Sequence, residues 1–132
     1  MKRSDVEILI VDDDSGLRTL LERALQREGY PVATVASAED ACRLLALEPA
    51  QIVITDIFMD QMNGLELIRR LCEQDATVRI IAISGGGYVQ GENCLDLAAR
   101  AGALRVFEKP FLLPELLAAI HEIAPSPSSR LA

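Results

Sequence analysis

Val6-Glu7-Ile8-Leu9-Ile10-Val11-Asp12-Asp13-Asp14 joins a short apolar run directly to three successive carboxylates. Four more apolar runs follow along the chain, at residues 32–36, 52–55, 78–83 and 104–107. They are rich in β-branched residues and nearly continuous, which is typical of strands buried on both faces of a parallel sheet. The chain is therefore expected to contain five such strands.

Amphipathic stretches separate the apolar runs. The first has leucine or alanine at positions 17, 20, 21, 24 and 25, which lie on one face of a helix, and Gly29 follows it. Ser37 is a suitable N-cap for the second helix, and Pro114 is suitable for the first turn of the fifth. Gly64 precedes the third and Gly102 ends the fourth. This alternation predicts a doubly wound α/β fold with helices on both faces of a five-stranded parallel sheet.

The composition limits the class of protein. A chain of 132 residues is expected to form one domain, at 1–124, with a flexible C-terminal tail at 125–132. With 13 basic and 20 acidic residues its net charge is −7, which argues against direct nucleic-acid binding. No apolar run approaches the roughly 18 residues of a membrane span, and the N-terminus does not resemble a signal peptide. We therefore expect a cytoplasmic protein without a membrane partner.

The three cysteines do not suggest a metal or disulfide framework. They are Cys42, Cys72 and Cys94, an odd number with no C-x-x-C pair. All three fall in predicted helices, where we expect them to act as small apolar residues in or near the core.

Polar side chains follow four of the predicted strands. Asp12 and Asp13 follow the first strand, Asp56 the third and Ser84 the fourth, and Lys109 comes just after the fifth. In doubly wound sheets, ligands bind beyond the carboxyl ends of the strands. We expect these side chains to converge at one edge of the sheet.

Such a set of side chains favours phosphoryl transfer. Crowded carboxylates repel unless a cation intervenes, and a hard divalent cation suits their oxygens. A carboxylate can itself attack phosphorus, while an ammonium and a hydroxyl hold the phosphoryl oxygens. Lys109 is one of only two lysines in the chain, the other being Lys2.

Four short motifs together resemble the receiver domain of two-component response regulators, including the chemotaxis regulators. They are Val11-Asp12-Asp13, Thr55-Asp56, Ile83-Ser84-Gly85 and Lys109-Pro110-Phe111. The resemblance extends over residues 5 to 123. It implies the flavodoxin-like strand order 2-1-3-4-5, an order that the chemotaxis regulator exemplifies. Each motif alone is weak, but four at successive strand ends are specific.

The resemblance implies a role for each site residue. Asp56 matches the phosphoacceptor, and Ser84 and Lys109 match the residues that hold the phosphoryl group. The metal ligands would be Asp13, Asp12 through water, Asp56, and the backbone carbonyl of Phe58. The metal would be Mg²⁺, with Mn²⁺ as a substitute. The peptide bond between Lys109 and the proline after it would be cis.

The resemblance also implies partners. A histidine kinase or phosphotransfer protein would supply the phosphoryl group, and a downstream protein would bind the face formed by the fourth helix, fifth strand and fifth helix. The chain would be a stand-alone phosphoacceptor that catalyses its own phosphorylation and dephosphorylation, not an enzyme acting on a separate substrate.

Three features depart from the family pattern. Asp60 replaces the usual proline after the phosphoacceptor, and Val106 replaces the aromatic residue whose rotation usually reports phosphorylation. Three glycines at 85–87 follow Ser84, so we expect a mobile loop there that takes over the switching movement.

Other functions remain as alternatives. An aspartyl-nucleophile phosphohydrolase usually has a second acid two residues after its nucleophile, where this chain has Phe58. A flavodoxin-like cofactor binder would not place three carboxylates after the first strand. A receiver-like module that acts without phosphorylation would not need the full set of acids, hydroxyl and lysine. We interpret Asp14 as a helix cap outside the site and His121 as a residue without a role in phosphorylation or metal binding.

Overall fold

The described part of the chain contains twelve helices and strands. The computed structural model describes residues 7–58, 64–89 and 91–124. The predicted tail at 125–132, Asp60 and the start of the first predicted strand at Val6 lie outside these ranges. The elements are, in chain order, β1 Ile8–Val11, α1 Ser15–Arg27, β2 Val32–Val35, α2 Ala38–Leu47, β3 Ile52–Asp56, α3 Gly64–Gln74, β4 Arg79–Ser84, β5 Tyr88–Val89, β6 Glu92–Asn93, α4 Cys94–Ala101, β7 Arg105–Glu108 and α5 Leu113–Ile123.

Five of the strands form a parallel sheet. Its order is β2-β1-β3-β4-β7, so the predicted order of the five apolar runs is confirmed, with β7 as the fifth. The other two strands, β5 and β6, form a separate antiparallel hairpin between β4 and α4. The sequence patterns predicted only a loop there.

Helices cover both faces of this sheet, as the alternation predicted. On one face, Leu9, Val53 and Ala82 of the strands pack with residues of α2, α3 and α4. On the other, Ile10, Ile54 and others pack with residues of α1 and α5. All three cysteines belong to or pack against the first of these cores, which confirms their predicted placement. No helix in the described ranges has both the length and the apolar character needed to cross a membrane.

Local capping explains where several helices begin. Ser37 Oγ accepts a hydrogen bond from the Asp40 N–H at the start of α2, which confirms the predicted cap. Asp14 caps α1, and Asn93 caps α4 by accepting from Leu95 and Asp96. Helix N-termini favour such side-chain acceptors because their first N–H groups have no partner within the helix.

Three strands, β3, β4 and β7, end one residue later than the apolar pattern predicted, whereas β1 ends at the predicted residue and β2 ends one residue earlier. The sheet hydrogen bonding continues through Asp56, which pairs with Ile83, and through Ser84, which pairs with Glu108. Asp56 and Ser84 are therefore the last residues of their strands and not the first residues of loops. Each side chain consequently leaves the sheet on the face that strand alternation gives it.

Candidate functional site

Three carboxylates meet at the carboxyl edge of the sheet. β1 and β3 are neighbouring strands, so the residues that follow Val11 and those that end β3 lie side by side. Carboxylate oxygens of Asp12, Asp13 and Asp56 lie within 4.8 Å of one another. Asp12 and Asp56 are 2% and 8% exposed, whereas Asp13 is exposed to solvent. The cluster is thus buried on one side and open on the other.

Hydrogen bonds in the turn between β1 and α1 hold Asp12 and Asp14. The Asp14 N–H donates to Asp12 Oδ1 over 2.9 Å, and Asp14 Oδ1 in turn accepts from the Gly16 and Leu17 N–H groups. From the second turn of α1, Arg18 Nη1 donates to the Asp12 carbonyl oxygen over 2.7 Å. These bonds hold both ends of the turn, and the prediction that Asp14 acts as a cap is confirmed.

Lys109 supplies the positive charge of the site. Its Nζ lies 3.3 Å from Asp12 Oδ2 and 3.7 Å from Asp56 Oδ2. Its backbone N–H donates to the Ser84 carbonyl oxygen over 2.6 Å, which ties the end of β7 to the end of β4. The Lys109–Pro110 peptide bond is cis, as the resemblance implied. One ammonium therefore contacts two of the three carboxylates.

Burial and the neighbouring charges shift the pKa of Asp56. Burial raises the pKa of the Asp56 carboxyl above its usual value of 3.8, and the nearby charge of Asp12 raises the pKa further. The Lys109 ammonium and the Ile57 N–H, which donates to Asp56 Oδ1 over 2.8 Å, lower the pKa but do not reverse the shift. A further cation at this cluster would therefore be bound favourably.

The structure does not bring the Ser84 hydroxyl to the acids. The Ser84 side chain is fully buried, and its Oγ lies 3.4 Å from Cys94 Sγ and accepts a hydrogen bond from the Gly86 N–H over 3.2 Å. Phe58, predicted to offer its backbone carbonyl, is 45% exposed. Its ring lies beside Gly87, where an added Cβ would be 3.8 Å from the Phe58 Cε2 atom. The roles of Ser84 and Phe58 remain predictions.

Sequence reasoning missed contacts that the fold creates. The sequence patterns assign neither Arg18 nor Cys94 to the site, although both bond to site residues. The only signal for Arg18 was its place on the first helix shortly after the acids. His121, interpreted as a residue without a specific role, lies between two partners on the opposite end of α1: Tyr30 Oη at 3.1 Å and Glu28 Oε1 at 2.8 Å. Its two ring nitrogens thus join α5 to the segment after α1.

Curated proteins resemble this chain over most of its described length. The chain is 34% identical over 116 residues to the response regulator receiver protein CpdR of Brucella abortus, which covers 88% of this chain and 94% of that protein. It is 37% identical over 121 residues to the DNA-binding transcriptional regulator NtrC of Azospirillum brasilense. That match covers 89% of this chain but only 24% of NtrC, so the chain spans about a quarter of that relative.

Solved structures and a family model agree with these relatives. The chain superposes on the response regulator TrrA of Thermotoga maritima, solved in complex with Mg²⁺ and beryllofluoride, with a TM-score of 0.78 and 29% identity. The superposition covers 89% of this chain and 98% of TrrA. The family model of the response regulator receiver domain matches residues 8–121. With its parallel sheet, its acidic cluster and these matches, the chain belongs to the receiver domain family of two-component response regulators.

Proposed function

We propose that this receiver domain accepts a phosphoryl group on Asp56 from a histidine kinase or phosphotransfer protein and thereby switches a protein-binding surface. The observation that supports this most directly is the position of Lys109, whose Nζ lies within 4.0 Å of the carboxylates of both Asp12 and Asp56. A buried carboxylate beside an ammonium and two further acids fits phosphoryl transfer better than a structural ion pair.

The reaction follows from the chemistry of these groups. A carboxylate oxygen of Asp56 forms a bond to phosphorus while the bond between phosphorus and the imidazole nitrogen of the donor phosphohistidine breaks. The nitrogen keeps the electron pair, and Asp56 becomes an acyl phosphate. The Lys109 ammonium is close enough to pair with the phosphoryl oxygens that would project from Asp56.

The donor set fits a hard divalent cation. Asp12, Asp13 and Asp56 each offer a carboxylate oxygen within one small volume, and the exposed Asp13 leaves that volume open to water. Mg²⁺ prefers carboxylate oxygens and retains several waters, so these acids and the Phe58 carbonyl would hold it, with Mn²⁺ as a substitute. When bound, the cation neutralises negative charge on the transferring group. The TrrA structure, which contains Mg²⁺, supports this proposal.

The proposed partner surface is the face of α4, β7 and α5. Val106 on β7 is too short and too restricted in χ1 to swing between a buried and an exposed position. The movement is proposed to occur in the segment after Ser84, where Gly86 and Gly87 have positive φ angles of 92° and 108°. We propose a cytoplasmic, phosphorelay role in which the domain itself binds protein and not nucleic acid, consistent with its net charge of −7.

Phosphorylation by a small-molecule donor tests this function directly. The protein is incubated with acetyl phosphate and Mg²⁺, and its intact mass is measured. We expect a labile adduct of one phosphoryl group on the wild type and on Asp75→Asn, but not on Asp56→Asn. Asp75 is a matched control because its exposed carboxylate bonds to Thr77 outside the cluster. An adduct on Asp56→Asn would show that the acceptor is wrong.

The alternatives predict other outcomes of the same experiment. A receiver-like module that acts without phosphorylation would give no adduct on the wild type. An aspartyl phosphohydrolase would turn over the donor continuously through a second acid, but Phe58 offers no carboxylate at the position that such enzymes use.

A further inference from the structure

The Ser84 hydroxyl is held on the side of the sheet that faces α4. Along β4, Ile80 and Ala82 pack into the core beneath α2, α3 and α4, whereas Ile81 and Ile83 pack into the opposite core. By this alternation the Ser84 side chain leaves β4 toward α4.

The Asp56 side chain leaves its strand on the other face. Along β3, Ile52 and Ile54 belong to the core beneath α1 and α5, and Asp56 follows them by the same alternation. The two side chains that a phosphoryl group would have to bring together therefore start on opposite faces of the sheet.

The backbone of Ser84 is held in the sheet, so rotation of its side chain is the movement that needs the least rearrangement. Its carbonyl accepts from the Lys109 N–H over 2.6 Å, and Ser84 pairs with Glu108 in the sheet. Because Ser84 is the last residue of β4, rotation about χ1 between staggered positions would turn its hydroxyl away from α4 and toward the carboxyl edge of the sheet, where a phosphoryl group on Asp56 would project. That rotation would break the contacts of the hydroxyl with Cys94 and Gly86.

Those contacts lead directly to the start of α4. Cys94 is fully buried and is the first residue of α4, and its N–H donates to the Gly87 carbonyl over 3.0 Å. Ser84, Gly86, Gly87 and Cys94 thus form a closed loop of contacts in which the Ser84 hydroxyl is one link.

We propose that Cys94 is a positioning residue that holds the Ser84 hydroxyl away from Asp56 and thereby links phosphorylation to the start of α4. This inference rests on the proposed function of Asp56. The thiol and hydroxyl share a hydrogen bond in the unphosphorylated protein, and either atom can donate. When the hydroxyl turns to a phosphoryl oxygen, that bond is lost and the first turn of α4 loses its side-chain hydrogen bond to β4.

A buried cysteine could instead serve only as a small apolar residue, which is how most free cysteines behave. The two roles differ in one measurable respect. A purely structural Cys94 would change the stability of the fold but not the affinity of the folded protein for a phosphoryl mimic. A positioning Cys94 would change that affinity, and only while Ser84 is present.

The test measures the affinity of the protein for beryllofluoride by isothermal titration calorimetry, with Mg²⁺ present. Cys94→Ala removes the thiol, and Cys94→Val removes it while keeping apolar volume, in case the alanine variant does not fold. Both should bind beryllofluoride about 2- to 10-fold more tightly than wild type, the range that corresponds to one hydrogen bond. Cys94→Ser keeps a donor and acceptor and should bind like wild type.

Two controls separate the possible results. In a Ser84→Ala background, Cys94→Ala should no longer change the affinity, because the hydroxyl that it holds is absent. Cys72→Ala, at a partly buried cysteine away from Ser84, should leave the affinity unchanged.

The outcomes distinguish this inference from the proposed function. Wild type that binds no beryllofluoride and accepts no phosphoryl group would overturn both. Wild type that binds it, with Cys94→Ala and Cys94→Val unchanged or weaker, would overturn the role of Cys94 alone. An equal gain with and without Ser84 would also overturn that role.

Discussion

Replacing Asp56 with asparagine is expected to stabilise the metal-free protein at neutral pH. Burial and the charge of Asp12 raise the pKa of Asp56 above 3.8, so the folded state binds the proton more tightly than the unfolded state. Stability therefore falls as the pH rises from about 3.8 through the raised pKa, and the whole penalty is present above it. Asparagine has no charge to bury, and its Oδ1 can still accept the Ile57 N–H.

The size of this gain follows from the distances in the site. At an effective dielectric constant of 20, Asp12, whose oxygen lies within 4.8 Å, repels Asp56 by at least about 3.5 kcal/mol, and Lys109 at 3.7 Å attracts it by about 4.5 kcal/mol. The exposed Asp13, screened by water, adds a repulsion of about 1 kcal/mol, so the two repulsions together at least balance the attraction of Lys109. The burial of the carboxylate remains, and we expect a gain of about 1 kcal/mol, or roughly 3–5 °C in Tm.

Thermal and urea unfolding in the presence of a chelator measure this gain. The wild type, Asp56→Asn and Asp75→Asn are compared from pH 7 to below pH 4. Hydrogen bonds from Thr77 lower the pKa of Asp75, so removing that charge should not stabilise the protein. The gain from Asp56→Asn should shrink as the pH falls toward 3.8. A less stable Asp56→Asn at pH 7, or a gain that does not vary with pH, would refute the reasoning.

Three further predictions concern the same edge of the sheet. Mg²⁺ should raise the Tm of the wild type, by an amount equivalent to about 2.7 kcal/mol when its concentration is 100 times its Kd. The rise should be smaller in Asp13→Asn, and equal Tm shifts for the two proteins would count against the metal site. Arg18→Ala should cost about 1–2 kcal/mol of unfolding free energy and weaken Mg²⁺ binding, because the β1–α1 turn loses its guanidinium bond; unchanged affinity in isothermal titration would contradict this. Gly64→Ala should cost about 1–3 kcal/mol in urea unfolding, because its Cβ would overlap the Asp56 carbonyl oxygen, whereas Gly85→Ala has free space and should cost much less; similar losses would be inconsistent with that clash.

Most of the fold was predictable because its signals are local and repeated. Each buried strand is a continuous β-branched run, and each long helix has an apolar face and a recognisable cap or stop such as Ser37 or Gly29. The hairpin of β5 and β6 was not predictable. Its strands have two residues each and lie in a glycine-rich segment, so they are too short to show a periodic hydrophobic pattern in the sequence.

The site, like the fold, was predictable only in part. The strand ends predicted that Asp12, Asp13, Asp56 and Lys109 would meet, and the structure confirms that they do, because strand order alone fixes their position. The contact of Ser84 with Cys94 depends instead on a rotamer and on the face from which a strand's last residue leaves the sheet. Neither property is encoded in a short motif.

Because the sequence has only two lysines, an amine-selective reagent can probe the charged edge of the sheet. Lys109, whose side chain is 28% exposed, is the one lysine in the described residues, and Lys2 is the only other lysine of the sequence. An amine-selective acylating reagent therefore has three possible targets, namely these two ammonium groups and the α-amino terminus. Peptide mass spectrometry can then follow acylation at Lys109 with Lys2 as an internal reference. An anion bound against Lys109 would slow its acylation relative to Lys2, so the chain contains its own reporter of occupancy, without a fluorophore or an isotope label.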